Sequence, residues 1–94
     1  MELWEEKAKS AYLGYEDEPT FIKAYYKNGK YIVHGEIVIY CFDQNFEKEW
    51  DFSARDIWVT QDGSEALRLC DDYIELRDWL GYEYRIDYQG KEFQ

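Results

Sequence analysis

The chain has 94 residues, the mass of one domain spanning 1–94. Its 21 acidic and 11 basic residues give a formal net charge of −10, which argues against direct binding to nucleic-acid phosphates or to an anionic membrane surface. Hydrophobic residues at 46% and aromatics at 20% argue against intrinsic disorder.

The spacing of Trp4, Ala8, Ala11 and Tyr12 predicts a helix over residues 2–13. Glu2, Glu5 and Glu6 suit its positive end, and Gly14 lies just past its last turn. Residues 15–19 read as an acidic connector. Residues 20–27 and 30–42 read as two strands, because Asn28-Gly29 between them suits a type I′ hairpin turn, with positive φ at both positions. Residues 30–42 are β-branched and aromatic, as expected of a central strand, with a bulge or tight bend at Gly35.

Residues 43–45 form the next turn. Residues 46–52 alternate, with Phe46, Lys48, Trp50 and Phe52 on one face and Glu47, Glu49 and Asp51 on the other. Residues 57–60 are a further short strand, closed by Asp62-Gly63. Residues 64–80 fit a helix, since Ala66, Leu69, Tyr73, Leu76 and Leu80 recur at spacings of three and four. The rival reading turns a hairpin at Asp62-Gly63 into Leu67 and Leu69 and starts the helix at Asp71. Gly81 ends either version, and residues 82–88 alternate as a last strand. The class is therefore α+β: an antiparallel sheet of four to five strands, an N-terminal helix and a second helix near the C-terminus.

Little of the chain carries catalytic chemistry. Cys41 and Cys70 match neither a zinc-ligand spacing nor a redox pair. His34 is the single histidine, so no His-based metal site forms from one chain. Asp43, Asn45 and Glu47 imitate the start of a calcium loop, but Lys48 and Ala54 stand where it needs Gly and Glu. No nucleophile elbow or phosphate loop is present. The expectation is a protein that is not an enzyme and holds no metal or cofactor. A carboxylate-based metal enzyme is the third-ranked alternative. The N-terminus lacks a signal-peptide pattern and no segment is long and apolar enough to span a membrane, so the expected setting is the cytoplasm, with both thiols free.

The negative charge is what remains. On a strand, Glu47, Glu49 and Asp51 project from one face about 6.7 Å apart, near the spacing of neighbouring phosphates. Asp71, Asp72, Glu75 and Asp78 crowd the second helix, and residues 16–18 add a third cluster. Like charges so placed repel one another, which suits a surface whose field attracts a basic partner; an acidic surface also confers solubility. The ten tyrosines exceed the needs of one core face, so some of Tyr25, Tyr26, Tyr82, Tyr84 and Tyr88 stay exposed.

In size, acidity and aromatic content the chain resembles the small inhibitors that phages encode against host defences, including anti-CRISPR and DNA-mimic proteins, and the acidic immunity proteins of nuclease toxins. The resemblance is one of type and aligns no residues. It implies a non-catalytic inhibitor, monomeric or homodimeric, whose acidic surface occupies the basic channel of a nuclease or CRISPR effector. Glu47, Glu49, Asp51, Asp71, Asp72, Glu75 and Asp78 are the expected partner-binding residues. The alternative is a small-ligand module that stacks a nucleotide in an aromatic pocket.

Overall fold

A computed structural model describes residues 3–15 and 20–93. Helix α1 (Leu3–Tyr15) is followed by eight strands: β1 (Phe21–Lys27), β2 (Lys30–Gly35), β3 (Ile39–Phe42), β4 (Lys48–Phe52), β5 (Leu67–Leu69), β6 (Tyr73–Arg77), β7 (Glu83–Asp87) and β8 (Glu92–Phe93). They form two antiparallel four-stranded sheets, each a meander in chain order, β1 to β4 and β5 to β8. Glu2 and most of the acidic connector lie outside the described residues.

The predicted helix face is the one that packs. Ala8 and Tyr12 are buried against Ala24, Val33, Tyr40 and Phe42, with Trp4 and Ala11 alongside. The inner face of the first sheet supplies Ile32, Ile39 and Cys41 to a second cluster, where Leu67, Ile74, Leu76 and Ile86 of the other sheet meet them. The layers therefore run helix, sheet, sheet. The first sheet is covered on both faces, which explains the nearly unbroken apolar run in β2 and β3.

The Asn28-Gly29 hairpin is present, with φ of 54° and 75°. The single strand expected over 30–42 is instead two strands, folded back so that His34 pairs with Ile39 and Tyr31 with Phe42. Gly35 makes the reversal sterically feasible. A Cβ there would lie 2.7 Å from the Tyr12 hydroxyl and from the Val38 carbonyl oxygen.

The second helix is absent. Residues 64–80 contain β5 and β6, joined through Asp71-Asp72, with Leu67 opposite Leu76 and Leu69 opposite Ile74. The same leucines satisfy a helical stripe and a pair of alternating strands. The first sheet needs a flat apolar cover, and tertiary burial overrides the helical period. The rival reading had the strand at Leu67 and Leu69 correct, but that strand pairs with β6 and closes no hairpin across Asp62-Gly63, and no helix starts at Asp71.

Residues 57–60 form no strand. They cross between the sheets, where the Trp58 amide donates to the Glu36 carbonyl at 2.7 Å and the Trp79 amide to the Ile57 carbonyl at 2.9 Å. This places the fully buried Trp58 indole in the inter-sheet core, against the rings of Phe52 and Tyr84. The strand expected over 82–88 is β7, and β8 pairs beside it. Among the described residues, no helix is long and apolar enough to cross a membrane.

Candidate functional site

A meander alternates its turns between two ends. The β1–β2 and β3–β4 turns lie at one end of the first sheet, and the β5–β6 and β7–β8 turns at one end of the second. Tyr88 joins these two ends. Its carbonyl accepts from Lys30 Nζ at 3.2 Å and from Trp50 Nε1 at 3.1 Å, and its hydroxyl donates to the Cys70 carbonyl. Four turns therefore share one end of the molecule. It carries Asp43, Glu47, Glu49, Asp71, Asp72 and Asp87 against Lys27, Lys30, Lys48 and Lys91.

Four of the seven expected binding residues meet at this end. Glu49 pairs with Lys30 at 2.9 Å. Among the described residues Glu47, Asp71 and Asp72 make no ion pair, and all three are exposed. The field of Asp71 and Asp72 extends inward. Burial first, then the neighbouring Cys70, Asp71 and Asp72, raise the Tyr88 phenol above its ordinary pKa.

The line of carboxylates expected along β4 does not form. Cys41 faces Trp50 while Phe42 faces Lys48, so Glu49 is the extra residue of a β-bulge. The bulge turns Glu49 toward Lys30 and the Cys41 thiol, on the inner side of the sheet. Asp51 points to the helix side, where it binds Lys48 at 2.7 Å, and the Lys48 ammonium lies over the rings of Tyr15 and Tyr40.

The other two residues also separate from the group. Glu75 is on the outer face of the second sheet, directly opposite Arg68, whose Nε and Nη2 both donate to Glu75 Oε1. That hydrogen bonding holds the Glu75 carboxyl below its usual range. Asp78 is only 1% exposed, at the end opposite the acidic one. It accepts from the Tyr82 amide and the Tyr84 hydroxyl, both at 3.0 Å, and offers no carboxylate to a partner.

Asp78 belongs to a device that occurs three times among the described residues. In the turns begun by Asp43, Asp78 and Asp87, the aspartate Oδ1 accepts from the amide four residues on, and the fourth residue has positive φ. Those fourth residues are Phe46, Gly81 and Gly90. The Asp-x-x-Gly pattern at 78–81 and 87–90 carries this signal in the sequence, where the aspartate of 78–81 was taken for a surface charge. At 43–46 phenylalanine replaces the glycine and hides it.

For the alternative ligand reading, the relevant feature is a groove of about 370 Å³ between the β1 and β5 edges, lined by Lys23, Tyr25, His34, Ser64 and Glu65. Tyr25 and the buried Trp58 both line it. Of the five tyrosines singled out, Tyr26 and Tyr82 are exposed and Tyr88 is buried. Among the described residues no group of three or more His, Cys, Asp or Glu side chains is arranged to hold a metal ion. The chain matches no protein-family model, no curated protein and no solved structure.

Proposed function

We propose that this chain is a non-catalytic inhibitor that sets its acidic end into the basic nucleic-acid groove of a nuclease or CRISPR effector and so excludes the true substrate. The observation that carries the reading is the convergence of Glu47, Glu49, Asp71 and Asp72, from two different sheets, on the end joined through Tyr88. Glu47, Asp71 and Asp72, which pair with no cation among the described residues, repel one another, and the Asp43 and Tyr88 hydrogen bonds hold their turns. Such a surface steers a basic partner by its field and binds it in a salt-dependent way.

The test is an affinity capture from lysate of the source organism, run in parallel with the wild-type chain and with E47K/D71K/D72K. The expected result is a basic nucleic-acid-binding protein that wild type retains, that salt elutes, that added DNA or RNA displaces, and that the variant does not retain. Equal capture by the variant, or capture indifferent to DNA and RNA, contradicts the proposal. A nucleotide carried by the purified protein in native mass spectrometry moves attention to the Tyr25 groove.

A further inference from the structure

The outer faces of the two sheets differ. Helix α1 covers that of the first sheet; that of the second is bordered by Ser64 and Glu65, where Arg77 donates to the Ser64 hydroxyl at 3.3 Å, and is otherwise open. On the open face, β6 presents Tyr73, Glu75 and Arg77, β7 presents Glu83, Arg85 and Asp87, and Arg68 and Phe93 flank them on β5 and β8. The intervening Ile74, Leu76 and Ile86 face inward. The face carries three arginines and three carboxylates, so the whole formal net charge of −10 lies elsewhere on the chain.

The register arranges these charges in a pattern. Glu75 is opposite Arg85, and one level along Arg77 is opposite Glu83, so the sign reverses both across and along the strands. Arg77 reaches Glu83 at 3.5 Å. Arg85 makes no ion pair among the described residues, and its guanidinium lies 5.6 Å from the centre of the Tyr73 ring. The Tyr73 and Phe93 rings meet edge to face beside it.

We propose that this face is a homodimer interface, in which a second copy of the chain packs about a two-fold axis parallel to β6 and β7 and midway between them. That axis sets β6 of one copy over β7 of the other at the same level. Glu75 then faces the second copy's Arg85, and Arg77 faces its Glu83, so every member of these pairs meets its opposite. A two-fold interface must be self-complementary, and this register makes the face so. Two copies at −10 repel over the rest of their surfaces, whereas here the charges cancel. Arginine and aromatic residues are the types enriched at protein interfaces. Charge pairing drives the contact, so the dimer is weak and salt-sensitive. The face meets the acidic end at Asp87, and an axis along the strands sets the two acidic ends side by side; sedimentation of the free chain reads the dimer independently of partner capture.

Sedimentation of the purified chain over a concentration series, at about 50 mM and about 500 mM salt, tests the proposal. Wild type is expected to pass from monomer to dimer at low salt and to shift toward monomer at high salt. R85E places Glu against Glu75 and is expected to weaken the dimer about tenfold or more. The reversal R68E/E75R/R85E restores opposite charges across the axis, keeps positions 68 and 75 oppositely charged within the chain, and is expected to recover it. Circular dichroism confirms that each variant keeps its sheets, and Arg85 has no ion pair to lose. A monomer at every concentration overturns the proposal, as does a dimer equally strong in R85E or one that the charge swap fails to recover.

Discussion

The indole of Trp50 fills the space that a side chain on Gly90 would need: a Cβ there would fall 2.6 Å from Trp50 Cγ and 2.7 Å from Cδ2. Trp50 comes from the first sheet and Gly90 from the β7–β8 turn of the second. With the Trp50 bond to the Tyr88 carbonyl, this contact locks the sheets together at the acidic end. Gly90 also holds φ of 85°. Gly63 holds φ of 80° with nothing within 4 Å, so Gly63→Ala isolates the backbone cost, about 1 kcal/mol. Gly90→Ala is expected to lose a further 1–3 kcal/mol or so through overpacking. Urea unfolding of both variants checks this, and equal losses would show that the indole gives way freely.

Asp78 is expected to matter for stability and not for binding. Asp78→Ala leaves the Tyr84 hydroxyl and the Tyr82 amide without their acceptor and is expected to cost about 2–4 kcal/mol. Asp71→Asn and Asp72→Asn remove exposed charges and are expected to stay within about 0.5 kcal/mol of wild type. Thermal or urea unfolding separates the two classes; a harmless Asp78→Ala would return that residue to the surface.

His34 makes stability depend on pH. Its Nε2 donates to the Trp58 carbonyl at 2.7 Å, and burial lowers its pKa from the ordinary 6.5, while the hydrogen bond acts in the opposite direction. The unfolded chain therefore takes up this proton at a higher pH than the folded one. The stability that neutral His34 contributes is complete above about pH 6.5, falls as the pH drops below it, and levels off beneath the folded pKa. The stability gap between wild type and His34→Gln is expected to narrow from about pH 7.5 to about pH 5 as measured by urea unfolding. The carboxylates are common to both proteins and cancel in this difference, so a constant gap would contradict the assignment.

The two thiols are expected to differ in reactivity. Burial foremost, with a contribution from Glu49, pushes the Cys41 thiol up to about 12, which leaves about one thiolate in ten thousand at pH 8. Cys70 is only half-buried. Alkylation of the folded protein at pH 8 followed by peptide mapping is expected to label Cys70 and spare Cys41. Labelling of both at similar rates would mean that the inter-sheet core opens readily.

Local signals were legible in the sequence, and signals that depend on the opposite sheet were not. Asn28-Gly29 fixes its own hairpin through two backbone angles, and the Trp4, Ala8, Ala11 and Tyr12 stripe describes its own helix. Residues 64–80 were ambiguous because Leu67, Leu69, Ile74 and Leu76 suit a helical stripe until Asp71-Asp72 is known to turn. Residues 30–42 read as one strand because both faces of the first sheet are buried, which erases the alternation that would have marked the reversal at Gly35. At the candidate site, the acidity of Glu47, Asp71 and Asp72 was visible. Their convergence was not, since it depends on Tyr88 bridging two sheets. Nor was the β4 bulge, which divides Glu49 from Asp51, because no residue in it departs from ordinary strand composition.

The most direct measurement is the salt dependence of the dissociation constant for the captured partner, for wild type, for E47K/D71K/D72K, and for a control reversal at the opposite end, at the exposed Glu65 that precedes β5, Glu65→Lys. The expected result is a loss of about a hundredfold or more for the triple variant, with a shallower slope of log Kd against log salt, and nearly unchanged values for the control. Equal losses in the two variants, or a triple variant that binds like wild type, would contradict the assignment of the acidic end.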